Sequence, residues 1–389
     1  MTGPTPLDAH LDAGERELLE ESRRLAHEVL APLADRGGES GVDRALVVAL
    51  ADTGLLDRLF VRDGDGWRPE VSAMELCLVR EGLAHGCTAA ETAFAMQGLG
   101  SFPLLQAGLP DAIERWIPEI ARGRVVTGFA LSEPDAGSDV AALALRANRD
   151  GEGWRLTGEK TWISNAPDGD LYAVFARTTD GAGARGLTAF LVPGSADGLG
   201  GRRIELVSPH PIGTLTFDGV HVPDADVLGE VDRGFAVAMR TLDMFRPSVG
   251  AFAVGMAQAA LDTVVAHVAT RNAFGGPLSR QQAIRHRLAD IAARVQGARL
   301  LVHAAARAYD AGVRPTTQVA AMAKLMATEV AQEAVDTAVQ FHGASALQRG
   351  HPLEHLYREV RAPRIYEGAS EIQREVIARG LFTESGPGR

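Results

Sequence analysis

The chain has 389 residues, 46% of them hydrophobic, and 39 Lys and Arg against 50 Asp and Glu give a formal net charge of −11. That length can bury one large core or two to three contiguous ones without staples, and Cys77 and Cys87 have no neighbour at disulfide, redox or zinc-ligand spacing. The acidic balance is the wrong sign for gripping nucleic-acid phosphates, and the apolar runs are broken by Arg, His or Asp before the roughly 18 residues a membrane span needs.

From about residue 11 to 122 the apolar residues recur at three and four, in LDAGERELLEESRRLAHEVL, DRALVVALADTGLL, SAMELCLVREGLAHG and PDAIERWIPEIARG. The N-terminal stretch reads as an acidic amphipathic helix, not a basic leader with an apolar centre, so a cytoplasmic protein is expected. Between about 125 and 222 the texture changes to short β-branched or aromatic runs, VVTGFAL, WRLTGEKTWIS, LYAVFART, LTAFLV and LTFDGVHV, punctuated by turn residues. From about 234 to 382 long helical patterns return, dense in Ala and Gly, of a length that suits a bundle and a texture that suits self-association. The expected architecture is α+β but mostly α: an all-α domain over 1–124, a β domain over 125–233 and a helical bundle over 234–389. The ESGPGR tail is expected to fray.

Four clusters could carry chemistry. In FALSEPDAGSD a strand ends in a Pro-Asp-x-Gly turn that brings the Ser132 and Ser138 hydroxyls together with free backbone N–H groups; an ordinary loop leaving a sheet reads the same way. In TGEKTWISNA strand alternation puts Trp162 and Ser164 on one face, where a planar ring could stack, and Ile163 on the other, although a strand Trp is commonly plain core. In RNAFGGPLSRQQAIRHRLAD, Arg271 and Phe274 follow a long helix and Gln282 opens the next; Arg can grip a pyrophosphate, or simply cap a helix end. In RIYEGASEIQREVIARG the pair Ser370 and Gln373 reads as a capping box that leaves Glu367 and Gly368 in the preceding loop. There Glu367 is either a base tuned by burial or a loop carboxylate paired with Arg361 or Arg364. No grouping reads as a metal site: the DGDG of VRDGDGWRPE lacks the later ligands of a calcium loop.

Read in order, ALSEPDAGSD, TGEKTWISNA, RNAFGGPL and RIYEGASEIQ resemble the acyl-CoA dehydrogenase family across roughly residues 10 to 383. The resemblance implies an N-terminal helical domain, a central β-barrel-like domain and a C-terminal four-helix bundle, assembled as a homotetramer with one FAD per subunit. It implies that Phe129, Leu131, Ser132, Trp162 and Ser164 line the flavin ring. It likewise implies that Arg271, Phe274, Gln282, Gln340 and Gly343 hold its pyrophosphate and adenosine end, and that Ala369 and Glu371 contact the cofactor. Glu367 matches the family's base; Tyr366, Gly368, Asp243, Arg246 and Ser138 match substrate-site positions, and an electron-transfer flavoprotein is the implied electron acceptor. Some relatives carry the base on the first bundle helix, but that stretch here is Met244-Phe245, which leaves Glu367 as the candidate. The expected reaction is α,β-dehydrogenation of an acyl thioester. The alternatives are a flavin oxidase or monooxygenase on the same scaffold and a catalytically silent thioester-binding subunit.

Three departures from the family pattern stand out. Ala344 and Ala346 occupy positions of the usual Gly-Gly-x-Gly run, and VRDGDGWRPE replaces the usual Tyr-Gly-Gly loop. Glu91 falls near the expected acyl-tail end, where a Glu would disfavour dicarboxylic substrates and suit a polar or cationic tail.

Overall fold

The computed structural model describes residues 7, 9–37, 41–64, 66–68 and 70–383. The ESGPGR tail and Asp65 of the DGDG stretch lie outside the described residues. Two compact units divide the chain: Met1–Val29, Ser72–Glu91 and Asp243–Arg389 form one, and Leu30–Val71 with Thr92–Leu242 the other.

In the first unit the Ala13–Leu25 helix starts at Asp12, whose side chain accepts from the Glu15 N–H while Glu15 reaches back to the Asp12 N–H, a reciprocal capping box. It packs on the Ala73–Gly86 helix, which is buried nearly all round. Small residues permit this. A Cβ on Gly82 would lie 2.5 Å from the Ser22 Cβ, and one on Gly255 2.4 Å from the Glu81 carbonyl oxygen. The long helices Gly234–Thr270, Gln282–Asp310 and Thr317–His342 share with them a core rich in Ala and Val. Inside it sits the Glu81 carboxylate, which despite burial is held well below the usual carboxylate range by Arg299 at 2.9 Å, His303 at 3.5 Å and Arg23 at 3.0 Å. The Gly234–Thr270 helix is long and apolar enough to cross a membrane by length and composition. Because 72% of its apolar stretch is buried inside the protein, we read it as a core helix.

The second unit is built on one eight-stranded sheet. Its order is Val227–Leu228, Leu187–Pro193, Leu171–Arg177, Arg146–Asp150, Gly153–Ser164, Ile212–Pro223 and Leu199–Arg203. The Thr127–Ala130 strand pairs in parallel with Leu171–Arg177, and the path does not close into a barrel. The central LYAVFAR strand is buried along almost its whole length, as a strand with neighbours on both edges should be. Trp154 packs edge-on against Phe190, ring centres 5.8 Å apart, inside the core that also holds Ile163 and Tyr172. Where a calcium loop was excluded from the sequence, Arg62–Asp63 and Gly66–Trp67 pair as a short hairpin.

Candidate active site

Two loop-and-strand constellations carry the residues singled out from the sequence, one in each unit. In the sheet unit, Gly153–Ser164 loses register with its neighbour between Lys160 and Ile163, and Trp162 adopts φ +59° there. This bulge changes the simple alternation. Lys160, Thr161 and Ile163 are all buried, whereas the Trp162 indole is 55% exposed and Ser164 half-buried. Beside it the strand holding Phe129, whose ring tilts over Phe175 at 4.9 Å, runs out into Leu131 and Ser132. The Glu133–Ala136 turn expected from Pro-Asp-x-Gly forms, with reciprocal backbone bonds of 3.1 and 3.2 Å. The turn is anchored from beneath. Lys160 Nζ donates to the Leu131 carbonyl at 2.9 Å and to Glu133 Oε1 at 2.8 Å, while the Glu133 carboxylate accepts from the Ala144 and Leu145 N–H groups. The Thr161 N–H donates to the Ser132 carbonyl, so the FALSEPDAGSD and TGEKTWISNA segments are stitched together; Ser138 is exposed. A half-exposed indole on a strand that also carries the half-buried Ser164 fits a planar heteroaromatic ring.

In the helical unit, Glu367 has φ +50° and Gly368 φ +90°. The expected capping box at Ser370 does not form: Ser370 is the first helical residue of Ser370–Thr383, and its hydroxyl donates to Glu329 at 2.7 Å. The Gln373 amide instead donates to the Glu367 and Gly368 carbonyls at 3.1 and 2.8 Å, and Lys324 Nζ donates to the same Gly368 carbonyl at 2.7 Å. The alternative pairing of Glu367 is also excluded for Arg364, which binds Glu329 at 2.9 Å. Glu367 Oε2 is closed off from solvent and has no hydrogen-bond partner. Burial raises its carboxyl above the ordinary value, against the pull of Arg80, Arg246 and Lys324. The Tyr366 hydroxyl beside it is pushed well up by burial and by the Glu91 carboxylate. On the first bundle helix Arg246 pairs with Asp243 at 2.9 Å and keeps a buried Nε without a partner.

Glu91 requires a correction. Its carboxylate is 1% exposed and in direct contact with the Arg80 guanidinium, itself 3% exposed and donating to Ser248 Oγ at 2.6 Å. The negative charge is therefore taken up inside the protein and is not offered to a cationic acyl tail. Arg271, Phe274, Gln282, Gln340, Gly343 and Glu371 lie exposed, Phe274 at 93% and with φ +54°; Ala369 is half-buried. Ala346 is buried and Ala344 exposed. Among the described residues no group of three His, Cys, Asp or Glu could hold a metal ion.

Sequence reasoning passed over Arg80, Lys160 and Lys324. One signal was available: the sequence contains only two lysines, 160 and 324, every other fixed cation being Arg, and both are completely buried. Burial presses both ammonium groups down to about 8.

The family models for the N-terminal, middle and C-terminal domains of acyl-CoA dehydrogenases match residues 12–124, 128–220 and 232–382. The chain belongs to the acyl-CoA dehydrogenase family. It is 36% identical over 376 residues to cyclohexane-1-carbonyl-CoA dehydrogenase of Geobacter metallireducens, covering 95% of this chain and 98% of the relative. It is also 36% identical over 372 residues to the mitochondrial short-chain specific acyl-CoA dehydrogenase of Bos taurus, covering 94% and 89%. A glutaryl-CoA dehydrogenase from Mycobacterium smegmatis in complex with FADH2 superimposes with a TM-score of 0.88 at 26% identity, over 98% of this chain and 97% of that one. The family's members are FAD enzymes that act on CH–CH groups, and this chain is an oxidoreductase of that kind; its relatives support acyl-CoA dehydrogenation in general.

Proposed function

We propose that the chain oxidises an acyl thioester, carried on coenzyme A or an acyl carrier protein, to its α,β-unsaturated form with Glu367 as the general base. The observation that carries this reading is the Glu367 carboxylate: half-buried, unpartnered at Oε2, raised in basicity and held at positive φ. A structural carboxylate would have been paired; this one is kept available. Removing a thioester α-proton needs the developing enolate charge to be stabilised, and the Glu367 backbone N–H is the donor assigned to the thioester oxygen. Asp243, Arg246, Tyr366, Gly368 and Ser138 are assigned to substrate. Phe129, Leu131, Ser132, Trp162 and Ser164 would hold the flavin ring, with Arg271, Phe274, Gln282, Gln340, Gly343, Ala369 and Glu371 on the rest of the cofactor. FAD, when bound, accepts the β-hydrogen with its electron pair. We assign an electron-transfer flavoprotein as the acceptor of those electrons, a homotetramer as the assembly and the cytoplasm as the location. Cys77 and Cys87, both buried and neither in a disulfide, fit a reducing compartment.

Anaerobic flavin bleaching against short, branched, aromatic and aminoacyl thioesters on both carriers tests the proposal. Glu367→Gln should bind substrate yet bleach about 10²–10⁴-fold more slowly. In the parent, activity should fall as pH drops through the raised Glu367 value, an acid limb above that of an ordinary carboxylate. Unimpaired bleaching by the variant removes Glu367 from the mechanism, oxygen uptake that matches turnover makes the enzyme an oxidase, and a colourless purified protein makes it a silent subunit.

A further inference from the structure

The two lysines of this chain occupy equivalent mechanical roles: each is buried and each donates to a carbonyl of a segment that carries candidate site residues, Leu131 for Lys160 and Gly368 for Lys324. The second bears directly on the reaction. We propose that Lys324 is a positioning residue that locks the Glu367–Gly368 turn and sets the charge environment of the base, an inference that rests on Glu367 acting as that base.

The geometry makes the case. Two consecutive residues at positive φ do not hold that conformation by local preference, since only the second is Gly. Their carbonyls are held from two elements. The last helix contributes the Gln373 amide, which donates to both, and the Thr317–His342 helix contributes Lys324, whose ammonium donates to Gly368. The other charged groups acting on Lys324 are Glu367 on the turn, Arg246 on the Gly234–Thr270 helix, Glu329 on its own helix and Glu371 on the last helix. Glu329 is already engaged by Arg364 and Ser370. Glu367 is thus the acidic neighbour with an unpartnered oxygen, and it exerts the largest charge effect on Lys324. An Arg, as used at every fixed cationic position except 160 and 324, would bring a wide planar head with five donors, whereas the Lys324 ammonium is a compact charge that ends on the Gly368 carbonyl.

Lys324→Met keeps an unbranched side chain one atom shorter and leaves Gly368 its Gln373 donor, so flavin content and KM should stay within twofold of the parent. The single-turnover bleaching rate should fall on the order of 10²-fold, because the carboxylate is displaced from its approach to Cα. The acid limb should move to higher pH, because a cation that favours ionised Glu367 is gone. Gln373→Met should slow bleaching comparably without moving the limb, since no charge is removed. A second measurement needs no variant at Lys324: protein labelled with ¹³C at lysine Cε gives only two lysine signals, and the Lys324 titration should lie near about 8 and fall further in Glu367→Gln. Parental rate and limb in a folded Lys324→Met, or a Lys324 titration unmoved by Glu367→Gln, overturns the proposal. Unimpaired bleaching by Glu367→Gln overturns the base assignment instead, and the two failures are read from different measurements.

Discussion

Removing the Glu133 carboxylate should unfold the sheet unit far more readily than removing any surface acid. Glu133 is 6% exposed and its two oxygens satisfy three donors: Lys160 Nζ at 2.8 Å and the N–H groups of Ala144 and Leu145 at 2.7 and 3.0 Å. Glu133→Ala strips all three and leaves a fully buried ammonium with only the Leu131 carbonyl. Breaking a buried pair from one side costs about 3–5 kcal/mol, whereas an exposed pair is worth about 0–1 kcal/mol. Arg146–Asp180 supplies the internal control, because both side chains are more than half exposed. Urea unfolding followed by tryptophan fluorescence should show Asp180→Ala within about 0.5 kcal/mol of the parent and Glu133→Ala lower by roughly 4 kcal/mol. The deficit should depend on pH with a definite sign. Burial presses the Lys160 ammonium from its ordinary 10.5 down to about 8, so the cost of burying its charge is present in full below that pH and relieved as pH rises above it. Once Lys160 is neutral the pair no longer exists, and the Glu133→Ala deficit should shrink in alkali. A deficit equal to that of Asp180→Ala, or one that grows with pH, would refute the reasoning.

Two further perturbations follow from the helical unit. Gly368→Ala places a Cβ 2.5 Å from the Gln373 amide nitrogen at φ +90°; we expect about 1–2 kcal/mol of strain, read by thermal unfolding, together with a bleaching rate reduced more than KM is raised. Glu91→Gln leaves Arg80 buried without its counter-charge, which should cost about 3–5 kcal/mol in urea unfolding. It should also shift the acid limb of bleaching to lower pH, since Arg80 then favours ionised Glu367 more strongly; an unmoved limb separates Arg80 from the base.

Periodicity made the succession of helices, strands and helices legible, because it records which face of each element meets water. The bulge at Trp162 was not legible, since it arises where Gly153–Ser164 slips against Ile212–Pro223, a relation between residues about fifty apart in sequence. The capping box at Ser370 failed for a similar reason. Glu329, on a different helix, takes the Ser370 hydroxyl, and the strained carbonyls of Glu367 and Gly368 take the Gln373 amide, so tertiary partners won over a local motif. The reading of Glu91 as a contact for a polar or cationic tail fails for want of Arg80, which lies eleven residues away inside an apolar helix where periodicity assigns no charge.

Backbone conformation connects the two kinds of information. Among the described residues five non-glycine positions have positive φ: Trp162, Asn165, Asp232, Phe274 and Glu367. Asp232 and Asn165 belong to residue types that adopt this conformation readily, and their side chains are consumed locally, Asp232 by Thr178 and Thr179 and Asn165 by the Thr127 carbonyl. Trp162, Phe274 and Glu367 are not residue types that adopt it readily: each carries the cost of an unfavourable backbone, on the order of 1–3 kcal/mol, while the indole is 55% exposed, the phenyl ring 93% exposed and the carboxylate Oε2 without a hydrogen-bond partner. Trp162 and Phe274 are the exposed aromatic rings of two sequence motifs, and Glu367 is the unpartnered acid of a third. Unfavourable backbone beneath a side chain that the fold leaves exposed or unpartnered is the signature of a residue kept for a ligand, and each of these three falls within one of the motifs.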